Sequence, residues 1–295
     1  MKRRVSFLRA LALLLGTGVA GAQLWQLTPE QLTQYTPGNP FERFPDGRPK
    51  VPDDLLDKLR TMDIGIEDMV GAIRAKGYPN QYEPGPWKRL NRQTKLVGRV
   101  FTVQFMPSRP DLDGVVNAKG RITNQTAIDM VQPGDVLVVD LFGKGADATI
   151  VGDNLFYYLA KTAKAAGLVV DGAIRDLEGI SEIDMPAYFR KAHPTALTNV
   201  TITGINVPVR IGNVTVMPGD MVFGDAEGIY FVPPQLVKQT VDNADTVHIH
   251  DEWTRKMFDT GKYKSSEIYS SPRDPALKKE YDEYLKKRLD EIQKK

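Results

Sequence analysis

The residues Gly167-Leu-Val-Val-Asp-Gly-Ala-Ile-Arg-Asp176 decide how this chain folds. Their first half is a short apolar run of strand length that lies between two glycines. The preceding stretch begins Asp153-Asn154-Leu155-Phe156, and its apolar residues recur at helical spacing, which predicts a helix over residues 154–166 that Gly167 ends. A helix followed by a returning strand brings the helix start and the strand end to one edge. We therefore expect Arg175 and Asp176 to lie beside the helix N-terminus.

That edge combines three chemical groups that suit one kind of ligand. The first N–H groups of a helix have no intrahelical partners and can bind a carboxylate or phosphate. Arginine holds a carboxylate through two hydrogen bonds, and aspartate offers an oxygen ligand to Mg²⁺ or Mn²⁺. Arg175 and Asp176 beside free amides thus favour a small keto acid bound over a divalent metal. An Arg-Asp dipeptide is also common as a surface ion pair or a turn, and the residues alone leave that interpretation open.

The rest of the middle of the chain alternates strands with short connections. Residues 96–106 and 135–141 are β-branched runs of strand length. A helix–strand unit followed by several short strands indicates a mixed α/β domain. The short strands, separated by Gly and Pro, are predicted at residues 200–203, 207–211, 214–216, 221–223 and 229–232.

The segments on either side of this domain have a different character. Six prolines between residues 23 and 52 exclude a regular helix or central strand over most of that segment, which predicts an arm or linker. Thr28, Pro29 and Gln31 predict a short capped helix within it. From about residue 241 the chain is charged and helical, and we expect the last helix to pack on its own domain or on a neighbouring subunit. Its apolar stripe consists of Leu277, Tyr281, Tyr284, Leu285 and Ile292.

Residues 1–22 have the three parts of a secretory leader. Lys2, Arg3 and Arg4 give a positive start, an apolar stretch follows from Ala10, and Ala20-Gly-Ala22 offers a cleavage point. The alternative is an uncleaved membrane anchor, but the apolar core is well short of the roughly 20 residues that span a bilayer. We therefore expect a cleaved signal peptide and a periplasmic or secreted protein that has no membrane segment after cleavage.

Charge and composition exclude several classes of function. The chain has 39 Lys and Arg against 37 Asp and Glu, a net charge of +2. The leader carries four of the positive charges, so the remainder has a net charge of −2, which argues against a nucleic acid partner. Zero cysteine excludes disulfides, iron–sulfur clusters and cysteine nucleophiles, and three histidines leave little for a histidine-rich metal site. A metal site here must use oxygen ligands.

Several motifs in a fixed order give this sequence a family resemblance. They include Pro133-Gly-Asp-Val-Leu-Val-Val-Asp140, the two stretches described first, Val216-Met-Pro-Gly-Asp220 and Gly224-Asp-Ala-Glu-Gly228. In that order they resemble the RraA-like family, which includes 4-hydroxy-4-methyl-2-oxoglutarate aldolases, over about residues 61–240. The resemblance implies an α/β fold, a swivelling β/β/α domain at residues 61–245. A Pro-rich arm and first helix at residues 23–60 would precede it, and a charged helical extension at residues 246–295 would follow.

The same resemblance implies roles for individual residues. Backbone amides of Asp153, Asn154, Leu155 and Phe156 would contact a 2-keto-acid substrate, Arg175 would bind it, and Asp176 would hold a Mg²⁺ or Mn²⁺ ion. Arg175 and Asp176 would then be catalytic in a metal-dependent lyase that cleaves a 4-hydroxy-2-oxo acid to pyruvate, with oxaloacetate decarboxylation as a related activity. Asn154 stands where the family has an acid, which weakens the outer shell of the metal. The resemblance also implies a homo-oligomer, a trimer or hexamer with sites at subunit interfaces.

Other interpretations compete with this one. Some members of the family inhibit a ribonuclease complex, so a non-catalytic binding or regulatory protein is the alternative function. His248 and His250 point to different faces of a predicted helix and favour structural roles over metal binding. Gly143-Lys-Gly145 resembles a fragment of a phosphate loop but favours a tight turn. Asp225-Ala-Glu227 also favours a turn, with an acid reaching a neighbouring subunit's site as the alternative.

Overall fold

The computed structural model describes residues 25–62, 64–118, 120–142 and 148–293, so the predicted leader and Gly143-Lys-Gly145 lie outside the described residues. The helices are α1 (Pro29–Tyr35), α2 (Asp53–Thr61), α3 (Glu67–Arg74), α4 (Pro110–Val116), α5 (Asn124–Ile128), α6 (Asp153–Lys161), α7 (Leu177–Ser181), α8 (Pro234–Asp259), α9 (Ser265–Ile268) and α10 (Pro275–Gln293). The strands are β1 (Tyr82–Pro84), β2 (Lys88–Leu90), β3 (Leu96–Pro107), β4 (Asp135–Asp140), β5 (Gly167–Ile174), β6 (Ala187–Ala192), β7 (Val200–Ile205), β8 (Val209–Ile211), β9 (Val214–Val216), β10 (Met221–Gly224) and β11 (Gly228–Val232).

A mixed sheet forms the centre of the part of the chain that the structure describes. Its strand order is β1-β11-β10-β3-β4-β5-β6-β2, and β7 also pairs with β3. The strands from β3 to β6 are parallel neighbours, whereas β10 and β7 run antiparallel to the two halves of the long strand β3. Helices and this sheet together confirm the predicted mixed α/β class.

Alternate residues of the central strands supply two hydrophobic layers. Leu137 and Val139 of β4 face a core that the helices α5 and α6 cover, while Val136 and Val138 face the β8–β9 hairpin. Parallel sheets have both faces covered, so their strands carry apolar residues on both sides. Here helices cover one face and the hairpin covers the other. A third cluster, between the sheet and the helices α2, α3 and α8, includes Leu56 and Val237.

The helix before β5 is shorter than its apolar spacing predicts. It begins one residue earlier, at Asp153, and ends at Lys161, while Lys164 has the left-handed φ of 54°. Gly167 is the first residue of β5 rather than a helix cap. A Cβ at Gly167 would lie 2.2 Å from Leu96 Cδ1, so glycine is required there for close packing between strands and not to end the helix.

The Pro-rich segment is packed against the sheet. The predicted capped helix is confirmed as α1, in which Gln31 N donates to Thr28 Oγ1 and Thr28 N donates to Gln31 Oε1. Further along, Arg48 is fully buried and its Nη1 lies 3.0 Å from the Asp135 carboxylate at the start of β4. This segment therefore contributes a buried charge to the domain, which a free linker would not do.

The last helix packs on its own chain. Leu277, Tyr281 and Tyr284 of α10 contact a cluster that includes Trp253 and Met257 of α8. These contacts lie within one chain, as expected for packing on the same protein rather than on a neighbouring subunit. None of the helices in the described ranges has the length and apolar character needed to cross a membrane.

Candidate functional site

Two neighbouring segments meet where β5 ends. Arg175 N donates to Val151 O at 3.2 Å, and Thr149 forms a β-bridge with Ala173. These bonds hold the loop before α6 against the end of β5, so the start of α6 lies beside Arg175 and Asp176. Ligands of open α/β sheets commonly bind outside the carboxyl ends of the parallel strands, and this edge is such a place.

Asp176 lies at the centre of the site. Its Oδ2 accepts a hydrogen bond from Asp153 N at 3.3 Å and lies 3.4 Å from Arg175 Nε. The side chains of Arg175 and Asp176 are 38% and 42% exposed, so both can reach a ligand. Among the described residues, Asp176 Oδ1 has no hydrogen-bond partner, which leaves one carboxylate oxygen open. The structure thus brings together the residues that the sequence analysis placed at one edge, while their roles stay predictions.

The backbone of Asp176 explains where its carboxylate points. The residue has φ 58° and ψ 45°, the left-handed conformation that aspartate and asparagine tolerate better than most residues. Although it precedes α7, its side chain makes no capping bond to that helix. The carboxylate instead contacts the first amide of α6, and a sharp turn is what directs it there.

Gly152 provides the space for the Arg175–Asp176 pair. A Cβ at this position would lie 2.2 Å from Asp176 Oδ2 and 2.8 Å from Arg175 Nε. Both atoms are at the ends of side chains, so a larger residue would displace the two functional groups rather than the backbone. Glycine is therefore required at this position because a side chain would displace the Arg175 and Asp176 groups.

Replacing Gly152 by alanine is expected to lower the activity proposed below by about 100-fold, because a displacement of reacting groups by about 1 Å has effects of that size. The melting temperature should change little, since side-chain ends can move aside. Gly71→Ala is the matched control: no atom lies within 4 Å of a Cβ at this exposed helix position, so activity should be retained. Initial rates and thermal melts of both variants test this, and a fully active Gly152→Ala protein would contradict it.

The amides at the start of α6 are less free than the sequence predicts. Asp153 N is taken by Asp176, and Asn154 N donates to Asp153 Oδ1 at 2.7 Å. The Phe156 amide donates to Gly152 O at 3.0 Å and its ring is fully buried in the core, so neither group is open to a ligand in this structure. Within the described part of the chain, Leu155 N is the amide of this turn that has no partner. Leu155 N is thus the amide donor that stays open at the start of α6 among the described residues.

A cleft of about 530 Å³ opens in front of Arg175. This volume lies within the range of small-molecule sites, roughly 300–1,000 Å³. Leu155 and Gly152 line one wall. The facing walls were missed by the sequence analysis, because no motif marks them; they include Ser108, Asp113, Asn117, Arg121, Asn124, Asn199 and Thr201.

The oxygen donors near Asp176 suit a hard cation. Asp176 and Asp153 offer carboxylates, and the exposed Asn154 offers an amide oxygen. No group of three or more His, Cys, Asp or Glu residues that could enclose a metal is present in the described residues. Mg²⁺ commonly keeps several waters and uses only one or two carboxylates, so this sparse donor set fits it.

The other candidates from the sequence have structural partners. His250 Nε2 lies 2.7 Å from the Tyr269 carbonyl oxygen. Asp225 accepts bonds from Glu227 N and from Ile66 N, both at 2.8 Å, and so holds a turn. These contacts agree with the structural roles that the sequence favoured.

Comparison with known proteins assigns the family. The model of the RraA-like family, described as Aldolase/RraA, matches residues 55–231, which is more than half of the chain. The chain belongs to the RraA-like family. The matched region contains the whole of β3 to β10 and every residue of the Arg175–Asp176 site.

Curated relatives of this RraA-like chain carry aldolase names. A protein of Halalkalibacterium halodurans named "Putative 4-hydroxy-4-methyl-2-oxoglutarate aldolase" is 32% identical over 165 residues, which cover 56% of this chain and 72% of the relative. A protein of Ectopseudomonas mendocina with the same name is 37% identical over 109 residues, 37% of this chain and 66% of the relative. The aligned segments therefore leave more than a quarter of the first relative and about a third of the second unmatched.

Solved structures share the fold. Streptomyces coelicolor RraAS2, described as an unusual member of the RNase ES inhibitor RraA protein family, has a TM-score of 0.59 and 28% identity, covering 73% of this chain and 99% of that one. An uncharacterized protein of Pseudomonas syringae has a TM-score of 0.60 at 24% identity, covering 76% and 94%. The RraA-like architecture thus extends over about three quarters of the chain.

Proposed function

We propose that the protein is a divalent-metal-dependent lyase that cleaves a 4-hydroxy-2-oxo acid, such as 4-hydroxy-4-methyl-2-oxoglutarate, to pyruvate. The observation that carries the proposal is that Arg175 and Leu155, with its open amide, line one cleft, while the Asp176 carboxylate lies beside Arg175 Nε and accepts from Asp153 N. The aldolase names of its relatives support the same chemistry. The enolate that gives pyruvate would also allow oxaloacetate decarboxylation.

Arg175 and Leu155 N bind the substrate in this proposal. Among the described residues, the two terminal nitrogens of Arg175 have no protein partner, and a planar guanidinium pairs with a carboxylate through two parallel bonds. The Leu155 amide supplies a third donor at the same edge. These contacts orient the keto acid with its C1 carboxylate towards α6.

Asp176 would hold a Mg²⁺ or Mn²⁺ ion through its open Oδ1, with Asn154 and Asp153 contacting the ion's waters. When bound, such an ion polarises a keto oxygen and stabilises negative charge that develops there. Asn154 supplies a neutral oxygen where the family has an acid, so it contributes less attraction for the cation than a carboxylate would.

The bond changes set what the side chains must do. The C4 hydroxyl loses its proton, the C3–C4 bond breaks, and its electron pair forms the enolate of pyruvate while C4 becomes a carbonyl. C3 then gains a proton from water. Arg175 stabilises the charge on the three-carbon fragment. Asp153 Oδ2 has no partner among the described residues, and in this proposal it accepts the hydroxyl proton.

The proposal includes export and self-association. Residues 1–22 would direct the chain to the periplasm or the medium, which N-terminal sequencing of protein from the secreted fraction tests. Self-association as a trimer or hexamer would appear as the corresponding mass in light scattering, and a stable monomer would contradict it.

The direct test of the activity is pyruvate release. The purified protein with Mg²⁺ should form pyruvate from 4-hydroxy-4-methyl-2-oxoglutarate or oxaloacetate faster than Mg²⁺ alone, and EDTA should abolish the excess. The similarity to RraAS2 favours one alternative, a non-catalytic binding or regulatory protein. Calorimetric binding of keto acids without any pyruvate formed would favour that alternative and contradict the lyase.

A further inference from the structure

We propose that Arg121 is a specificity-determining residue that binds the distal carboxylate of a dicarboxylic keto acid. The inference rests on the proposed function, since it assigns the far end of the same substrate. Arg121 and Arg175 both line the 530 Å³ cleft, and they come from separate segments of the chain. A cleft with two guanidinium groups suits a ligand with two carboxylates.

Hydrogen bonds hold the segment that carries Arg121 in the cleft wall. Asn117 Oδ1 accepts from Ile122 N at 2.9 Å, next to Arg121. Asn124 Nδ2 donates to Ile150 O at 2.7 Å, and Ile150 is two residues from Gly152. The Arg121 segment is therefore tied to the loop that carries the reaction site, and this connection fixes one wall relative to the other.

The charges in the cleft leave Arg121 available for a ligand. Its side chain is exposed, and no carboxylate in the described residues forms an ion pair with it. Asp113 is the acid among the described residues that line the cleft, and its Oδ1 accepts a hydrogen bond from the Thr201 hydroxyl. Because Arg175 is already paired at Nε with Asp176, Arg121 is the lining cation of this cleft that has no counter-ion among the described residues.

The chemistry of a keto diacid matches this arrangement. Arg175 takes the C1 carboxylate beside the metal position, so the remainder of the substrate extends into the cleft. A second carboxylate at its far end would meet Arg121 and form charge-assisted bonds. A keto acid without that carboxylate would lose this contact and keep all the contacts at the reacting end.

The test compares a reaction that needs the distal carboxylate with one that does not. Pyruvate has no distal carboxylate, so exchange of its methyl protons with D₂O reports the reacting end alone. Arg121→Gln should raise KM for 4-hydroxy-4-methyl-2-oxoglutarate about 10- to 100-fold, the range for a lost charge-assisted bond, and leave the pyruvate exchange rate within twofold of wild type. Arg121→Lys should restore part of the lost affinity.

Arg92→Gln is the matched control, because Arg92 is an exposed arginine outside the cleft and its removal should change neither reaction. An unchanged KM in Arg121→Gln, or an equal loss in both reactions, would overturn the inference while the lyase assignment stands. A wild-type protein that neither exchanges pyruvate protons nor releases pyruvate would overturn the lyase assignment and this inference with it.

Discussion

Replacing Asp176 by asparagine is expected to lower the rate of pyruvate formation roughly 100- to 1,000-fold while the protein stays folded. The substitution removes the charge that would hold the metal. It keeps the size of the side chain and an oxygen that can accept the Asp153 N–H bond. Asparagine also tolerates the left-handed backbone at this position, whereas alanine would add strain.

Glu178→Gln is the matched control for this variant. Glu178 is exposed, lies two residues further along the chain, and its side chain has no partner among the described residues. Both variants lose one negative charge, so a general effect of charge would lower both rates equally. Rates measured at several Mg²⁺ concentrations separate weaker metal binding from a slower reaction. Full activity in Asp176→Asn would show that the Asp176 carboxylate has no role in the reaction.

The largest effect on stability is expected from Arg48→Met. Arg48 is fully buried between the rings of Phe44 and Phe101, at 4.8 and 5.0 Å, and its guanidinium faces Asp135. Burial already raises the pKa of the Asp135 carboxyl, and Arg48 opposes that shift. Removing one partner of a buried ion pair costs about 3–5 kcal/mol, because the other charge is left uncompensated.

Urea unfolding of Arg48→Met measures this cost. Lys50→Met is the control, since Lys50 is an exposed cation of the same segment and its loss should cost less than about 0.5 kcal/mol. A double variant, Arg48→Met with Asp135→Leu, should regain much of the stability, because neither charge of this pair is then left buried without its partner. A single variant within 1 kcal/mol of wild type would show that the Arg48–Asp135 pair does not stabilise the fold.

The sequence predicts the pairing at the candidate site because local patterns determine it. A helix that leads into a strand brings Arg175 and Asp176 back to Asp153, and the two elements are visible in the apolar spacing. The hydrogen bond between Asp153 N and Asp176 Oδ2 shows that the two segments lie together as predicted. The fold class follows from the same alternation of helices and strands.

The parts that the sequence missed depend on contacts between distant segments. Arg121 reaches the cleft through bonds of Asn117 and Asn124, which have no signature in the sequence. Arg48 belongs to a segment whose prolines indicate an arm, yet it pairs with Asp135 across the fold. Such pairings depend on tertiary packing, which no local periodicity encodes.

The predicted donor amides show a second feature that sequence spacing does not determine. An unpaired helix N-terminus is a sound local expectation, but neighbouring carboxylates compete for the same N–H groups. Asp153 and Asp176 take two of these amides, which leaves Leu155 N open. Sequence spacing indicates that such groups lie close to one another, whereas the three-dimensional geometry decides which of them remain available to a ligand.

The most direct measurement of the central claim is the exchange of pyruvate methyl protons with D₂O, followed by proton NMR. An enzyme that releases pyruvate through its enolate must also form that enolate from pyruvate, so no knowledge of the natural substrate is needed. The proposed site predicts loss of the methyl signal with the full chain and Mg²⁺, and roughly 100-fold slower loss with Asp176→Asn. Exchange no faster than with Mg²⁺ alone, or equally fast in the variant, would contradict it.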